Sequence, residues 1–505
     1  MKSSKLLNKI YFFILPFFFC NFIFPKDQYV LKNPSFEHGV KEIPGWKIIL
    51  GARISSKGKS AKVFIDTKKS FHGKHSLCIS ADRSTVKWPC LVQKINIKPG
   101  VRIEFEVMAS CENVKKIGKQ YFNCNGILIF FSKNKRIIKK AVTNIIFGTR
   151  DWCKLYVHTI APDKSSFMFV GLSFTLSGKV WFDDAKLTIS ETKPFSKEVR
   201  ETTFSALKKK LLRTYPFWTI PGKPNPFELF KRYEKKAITA KTLDTYLKVI
   251  KNMLKELRDV HIWFEINGKI VPIKIPPKGY KNWNIEYIKK TLTKITNNNA
   301  KFFTGIYNNN IGYMLLKTFA MTKDEINAAE TALESLFNCD ALIIDVRPNT
   351  GGQEKYAMRI ASRFISSPTL YAMHRYRDPC NTCIDGFFPP QKRILYPHKN
   401  KKVFMKKVIL LQGPYCVSST EAFLLMMKAT KHVVTLGLPS RGASGNPGPF
   451  DLFPHIKIWI PRWQSLTPKG ECIEGKGIEP DIKIDPGPKS FEKEDPVFRK
   501  AVESL

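Results

Sequence analysis

Ser418 stands where the apolar run "KVILLQG" gives way to the helical pattern "TEAFLLMMKAT". A serine at a helix N-terminus lies beside unpaired backbone N–H groups and the positive end of the helix dipole, where an oxyanion is stabilised. That setting suits the nucleophile of an acyl transfer. The same residues have a plainer use, because Ser418-x-x-Glu421 ahead of an apolar run is also a capping box. Two more segments end strands in a similar way. In "IDVRPNTGG" an apolar run enters Gly351 and Gly352, whose missing side chains let backbone amides approach a ligand closely. In "EGKGIEPDIKI" Glu474 opens a glycine turn ahead of an extended stretch. His261, in "ELRDVHIWF", follows a helical pattern. An imidazole, with an ordinary pKa of about 6.5, is the usual proton acceptor for a hydroxyl nucleophile.

These residues need a frame. From "ALIIDV" onward strands and helical patterns alternate, which predicts an α/β core with a mainly parallel sheet, its site at the carboxyl ends of the strands. Thr322 and Glu325 form a capping box ahead of "INAAETALESLF". Upstream, Leu243, Tyr246, Leu247, Ile250, Met253, Leu254 and Leu257 recur at three- and four-residue steps, so an amphipathic helix delivers the chain to His261. From Asp27 to Glu191 short alternating runs such as "VRIEFEVMAS" and "NGILIFFS" predict an all-β sandwich. The expected organisation is multidomain: a leader over 1–25, a β-sandwich over 27–191, a helical subdomain over 197–260, an α/β core over 261–486 and a tail over 487–505.

The motifs D-x-R-x-N-x-G-G (Asp345 to Gly352), S-x-x-E (Ser418 to Glu421) and G-I-x-P-D (Gly477 to Asp481), in this order between Phe204 and Pro486, resemble the C-terminal-processing (tail-specific) serine peptidase family. The resemblance implies a serine endopeptidase acting on peptide or protein substrates, with no catalytic cofactor. Many members use a serine–lysine dyad, but Ala443 in "GLPSRGASG" occupies the lysine position. Between His261 and Ile311 about fifty residues leave no room for an inserted peptide-binding domain. Both departures resemble the branch of the tricorn core, which implies Ser418 as nucleophile, His261 as base and Glu474 as its support, directly or through another hydroxyl. In that branch a serine can precede the histidine; here Val260 stands there. The implied oxyanion hole is the Ser419 amide with that of Gly351 or Gly352. Asp345 and Arg347 are read as support for the glycine turn.

The ends of the sandwich segment, "NPSFEHG" and "GKVWFDDAKLTI", resemble galactose-binding-like jelly-roll modules. In such modules calcium often ties the first strand to the last, which implies Glu37 and Asp184, with Asp183 as substitute, as carboxylate ligands. The module would bring a glycan or envelope polymer as partner, although Trp46, Trp88 and Trp152 are read as core. An alternative function follows: an inactive ligand-binding or carbohydrate-binding envelope protein on the same fold.

Lys+Arg number 84 against 42 Asp+Glu, but this excess is spread along the chain without a basic and aromatic motif, so nucleic acid is not the expected partner. Lys2, Lys5 and Lys9 precede an apolar run from Ile10 to Phe24, the pattern of an export signal or uncleaved anchor, and Cys20 stands where a lipidated cysteine could. The expected location is the periplasm, cell envelope or exterior. Eleven cysteines in such a chain permit disulfides, five of them (Cys78, Cys90, Cys111, Cys124, Cys153) in the N-terminal half, and Cys380 and Cys383 form a lone CxxC.

Overall fold

The computed structural model describes residues 31–39, 42–51, 61–81, 88–115, 124–191, 195–276, 278–378 and 383–505. The leader expected over 1–25 and Cys380 lie outside the described residues.

Alternation with a period of two writes the N-terminal unit. Its strands are β1 (Lys47–Gly51), β2 (Lys62–Asp66), β3 (Ser76–Ala81), β4 (Trp88–Asn96), β5 (Arg102–Lys115), β6 (Cys124–Ser132), β7 (Ile137–Val142), β8 (Gly148–Ile160), β9 (Ser165–Phe174) and β10 (Ser177–Ser190). They pair antiparallel in two sheets, β1-β4-β9-β6-β7 and β2-β3-β10-β5-β8. Inward residues such as Leu77, Phe105, Phe130, Val170 and Phe182 fill one core between them. Trp46 is buried in that core, whereas Trp152 is half-buried against Phe71. Cys153 is disulfide-bonded, while Cys78, Cys90, Cys111 and Cys124 are thiols. Burial pushes Cys78 and Cys90 up to about 12, so neither is a ready nucleophile.

Three helices follow, each started by a side-chain cap. In α1 (Lys197–Thr214) the cap is Ser196, in α2 (Pro226–Ile238) Asn225 and in α3 (Leu243–Lys255) Thr242. The apolar stripe read from sequence is the buried face of α3: Tyr246, Ile250, Met253 and Leu254. It packs with Leu257 and with a four-stranded antiparallel sheet of β11 (Trp263–Ile266), β12 (Lys269–Pro272), β21 (Gly448–Phe453) and β22 (Ile456–Ile460). The helices upstream of His261 therefore share one core with strands nearly two hundred residues later, so the expected division at 260 is not a break in packing.

The central sheet runs β13 (Lys294–Asn298), β14 (Phe302–Tyr307), β15 (Ile311–Leu316), β16 (Ala341–Asp345), β19 (Val408–Gln412), β20 (Val433–Gly437) and β24 (Ile482–Lys483). Its first two pairings are antiparallel and the four from β15 to β24 parallel. Between β16 and β19, β17 (Thr369–Tyr376) and β18 (Gln391–Leu395) join β23 (Trp463–Leu466) in a separate three-stranded sheet. On one face of the central sheet Leu342, Ile344 and Leu410 meet α5 (Lys323–Glu334), α6 (Glu354–Ala361) and α7 (Ser419–Lys428). Thr322 and Glu325 cap α5 reciprocally at 2.7 and 3.2 Å, as their spacing predicts. On the other face Ile343, Ile409 and Leu411 meet α4 (Ile285–Thr291) and α8 (Pro496–Glu503). Residues 487–505, expected as a tail, instead return to the sheet: Val497, Phe498 and Ala501 are buried there. That stripe spans barely more than one turn, too short to stand out by periodicity.

The sandwich docks through β5 and β8 of its second sheet and through Lys139 on β7 of the first. Arg102 donates to Thr202 and Thr203 of α1 at 3.1 and 2.6 Å, and Asp451 of β21 accepts from Lys139 and Thr159, both at 2.7 Å. Asp451→Ala strands Lys139 beside the interface, a loss of roughly 1–3 kcal/mol. Denaturant unfolding of the full chain should show a lower midpoint for this variant; an unchanged midpoint would mean the contact carries no stability.

Candidate active site

The parallel strands β16 and β19 are neighbours, with Asp345 opposite Leu411, so the turns that leave their carboxyl ends start side by side. The turn after β16 is fixed by a buried ion cluster. Arg347, fully buried, donates to Asp345 Oδ1 and Oδ2 at 3.0 and 2.7 Å, to Asp495 Oδ1 at 2.8 Å and to the Asn282 carbonyl at 2.7 Å. Burial disfavours this guanidinium charge, but Asp345 and Asp495 outweigh it and hold its pKa well above the ordinary value. The cluster is structural, in line with the support role read for Asp345 and Arg347.

Asn349 then sews this turn to α7. Its Oδ1 accepts from the Gly351 amide at 2.9 Å and from the Thr420 hydroxyl at 2.6 Å. Gly351 has φ +102° and Gly352 φ +138°, a region L side chains rarely adopt. A Cβ at Gly352 would lie 2.1 Å from Ala320 N, and one at Gly351 would lie 3.0 Å from Ser418 Cβ. The backbone of residues 351–352 is thus pressed against the serine. The Gly351 amide is already donated to Asn349. Gly352 is exposed, and among the described residues neither its amide nor that of Ser419 has an acceptor.

Ser418 has φ +60° and ψ −122°, a conformation costly for a residue with a side chain. The strain is held by the Ser418 amide, which donates to the Ala443 carbonyl at 3.0 Å and to Glu421 Oε2 at 3.3 Å. Glu421 is more than a helix cap. Fully buried, it also accepts from the Ser440 hydroxyl at 2.6 Å, the Gly442 amide at 2.7 Å and the Ala443 amide at 2.9 Å. Burial pushes its carboxyl up to about 7 in spite of these donors. Ala443, at the lysine position of the dyad enzymes, is buried and offers only its backbone to the site.

His261 and Ser418 line one cavity of about 930 Å³, together with Ser419 and Gly352. Its walls include Trp263, Trp459, Trp463 and Tyr371. Among the described residues Lys355 is the one lysine lining it, and that side chain is exposed. The backbone amide of His261 donates to Asp259 Oδ1 at 2.8 Å, and Tyr215 holds the other oxygen at 3.1 Å. Burial lowers the imidazole pKa and Asp259 opposes the shift; the net direction is down, so the ring is neutral at pH 7. Among the described residues its buried Nδ1 has no hydrogen-bond partner.

Glu474 is buried behind the cavity. Its Oε2 accepts from the Ser444 amide at 3.2 Å and its Oε1 lies 3.5 Å from Lys223 Nζ. Among the described residues no hydrogen bond joins it to His261. Burial first, then the charge of Asp259, raise its pKa well above the ordinary carboxyl value, with Lys223 opposing. Ser444 lines the cavity, and among the described residues its buried hydroxyl has no partner.

In the sandwich, Glu37 and Asp183, two of the three carboxylates read as calcium ligands, are occupied by N–H donors. Glu37 accepts from the Lys74 and His75 amides at 3.0 Å and from His75 Nδ1 at 3.2 Å. Asp183 accepts from the Phe71, His72 and Asp184 amides at 2.8, 3.0 and 2.6 Å. Asp184 takes φ +45° beside it. Oxygens faced by N–H donors do not fit a cation, which needs six to eight oxygen ligands. Among the described residues no group of three His, Cys, Asp or Glu side chains is arranged to hold a metal.

Residues 310–484 match the family model described as "Peptidase family S41". The carboxy-terminal processing protease CtpB of Bacillus subtilis (strain 168) is 28% identical over 182 residues, 35% of each chain. CtpA of the same organism is 24% identical over 221 residues, 43% of each chain. The chain thus spans less than half the length of these two relatives. A solved structure of a putative peptidase from Parabacteroides merdae ATCC 43184 is 20% identical, covers 62% of this chain and 97% of that one, and superposes with a TM-score of 0.50, a likeness of fold. Ser418, the glycine turn and Glu474 all fall inside the matched span, and His261 precedes it. Residues 310–484 are a peptidase family S41 domain.

Proposed function

We propose that this chain is an exported serine endopeptidase, with Ser418 as nucleophile, His261 as general base and acid, and Glu474 as a supporting carboxyl. One observation carries the reading: Ser418 is held in a strained backbone conformation at a helix N-terminus, inside a cavity lined also by a neutral imidazole. Strain of this kind persists where the surroundings over-determine it, and it clusters at functional sites.

The chemistry then follows acyl transfer. Ser418 Oγ attacks the carbonyl carbon of the scissile bond as its proton passes to His261. The carbonyl oxygen becomes the oxyanion, received by the Ser419 and Gly352 amides, with Gly351 serving as the spacer that Asn349 locks. On collapse His261 returns the proton to the leaving amine, and water repeats the cycle on the acyl-enzyme. The charge of Asp259 favours the transient imidazolium, while Glu474, held by Ser444 and Lys223, shapes the buried side of the site. Export rests on the Lys2, Lys5 and Lys9 cluster ahead of its apolar run.

Ser418→Ala should abolish peptide hydrolysis while leaving the unfolding midpoint close to that of the parent, since the Glu421 contacts run through the backbone. Undiminished turnover in a single-turnover assay would remove Ser418 from the role. The pH dependence is equally specific: a base must be neutral, and burial lowers the His261 pKa, so the acid limb of kcat/KM should fall below about 6.5. His261→Ala should lose activity at every pH, and retained hydrolysis would assign the base elsewhere. Glu421→Gln turns one accepting oxygen into a donor facing an N–H group, so residues 440–443 should shift away from Ser418. We expect kcat to drop by roughly 10- to 100-fold, the scale of losing preorganisation, and a wild-type kcat would show that Glu421 is only a cap.

A further inference from the structure

The second sheet of the sandwich faces the peptidase, through β8 against β21 and through Arg102 against α1. The first sheet, β1-β4-β9-β6-β7, touches the peptidase through Lys139 of β7, whose neighbour Lys140 faces the opposite, outer side of the sheet. Its register assembles an unusual surface there. Phe167 pairs with Phe131, and Phe131 with Ile137; one step along, Phe169 pairs with Ile129 and Ile129 with Lys140. Phe131 stacks on Phe167 at 4.8 Å and meets Phe169 edge-on at 4.9 Å. All three rings are half-exposed, and Ile137 and Val142 are exposed at 55% and 47%.

The charge on this sheet has one sign. None of its five strands contains Asp or Glu, whereas the other sheet carries Glu104, Glu106, Glu112 and Asp151 among its strands. Lys94, exposed, lies over the Phe167 ring at 4.5 Å, and Lys140 stands on the far side of the rings. The β6–β7 turn at the same end adds Lys133, Lys135 and Arg136, all exposed. Among the described residues none of these five cations forms an ion pair with a carboxylate.

We propose that this face docks the protein on an anionic lipid bilayer, with the phenylalanine cluster entering the boundary between headgroups and acyl chains and the five cations meeting the phosphates. Apolar area supplies the insertion and the basic rim supplies the attraction, two requirements for reversible surface binding. Strands without a carboxylate, an aromatic centre and a cationic rim complement a sheet of lipid phosphates, while Asp163 in the turn ahead of β9 is paired with His455 of the peptidase. Docked this way, the peptidase lies on the side of the sandwich away from the lipid.

The test is co-sedimentation of the full chain with vesicles of phosphatidylcholine alone and with about one-third phosphatidylglycerol. Binding to the anionic vesicles should be at least about tenfold tighter and should weaken with added salt. The turn variant Lys133→Glu/Lys135→Glu/Arg136→Glu, with an unchanged melting temperature, should lose that preference, and Phe131→Ser/Phe167→Ser should weaken binding to both vesicle types. Equal partition onto neutral vesicles, no partition at all, or an anionic preference that survives the charge-reversed turn overturns the proposal. None of these readings depends on hydrolysis, so the docking face stands or falls apart from the peptidase assignment.

Discussion

Arg347 is the fixed point on which the site depends. A guanidinium with no access to water costs several kcal/mol to bury, and it survives because each of its three nitrogens is bonded and two carboxylates balance its charge. Meeting them draws in distant pieces of chain: Asp345 from the end of β16, the Asn282 carbonyl ahead of α4, and Asp495 ahead of α8. Asp495 also caps α8 through the Phe498 amide at 2.9 Å and holds the Asn284 amide at 2.9 Å. Both helices on that face are therefore registered to the strand that ends in the glycine turn, and the turn's two amides inherit their direction from this cluster.

A second buried acid completes the arrangement from the opposite side. Glu421 gathers the Ser418 amide and the 440–443 segment, while Asn349 joins the glycine turn to the same helix. Three chain segments without sequence proximity are thus locked around one serine by carboxylate and carboxamide oxygens that accept from backbone N–H groups. Such bonds fix geometry well because their partners have no rotamers to lose.

How much of this could be read in the chain depended on whether the signal was local. The sandwich strands, the α3 stripe and the Thr322 cap are periodic or adjacent patterns, and they stand where the pattern puts them. Ser418 and the glycine pair were visible because a turn chemistry that demands positive φ must be written with glycine or tolerated by strain. By contrast, Glu421 carries the wording of a cap, and nothing nearby announces that Ser440, Gly442 and Ala443 return to it. The sheets of β11 and β22 were hidden for the same reason: Trp263 pairs with Trp459 across a gap no window spans. Choosing between Gly351 and Gly352 needed the bond from Asn349, although an asparagine two residues before a glycine is itself the mark of an Asx turn.

The position of Asp495 has a consequence for timing. Every other group that hydrogen-bonds to Arg347 or to the Ser418 amide comes earlier in the chain, from Asn282 to Ala443. During synthesis, Arg347 lacks its second counter-charge and α8 leaves Ile343 and Leu411 uncovered until residue 495 has emerged. A chain emerging from its N-terminus has the sandwich and the strands of the central sheet in hand before the cluster behind the glycine turn receives its last carboxylate from Asp495.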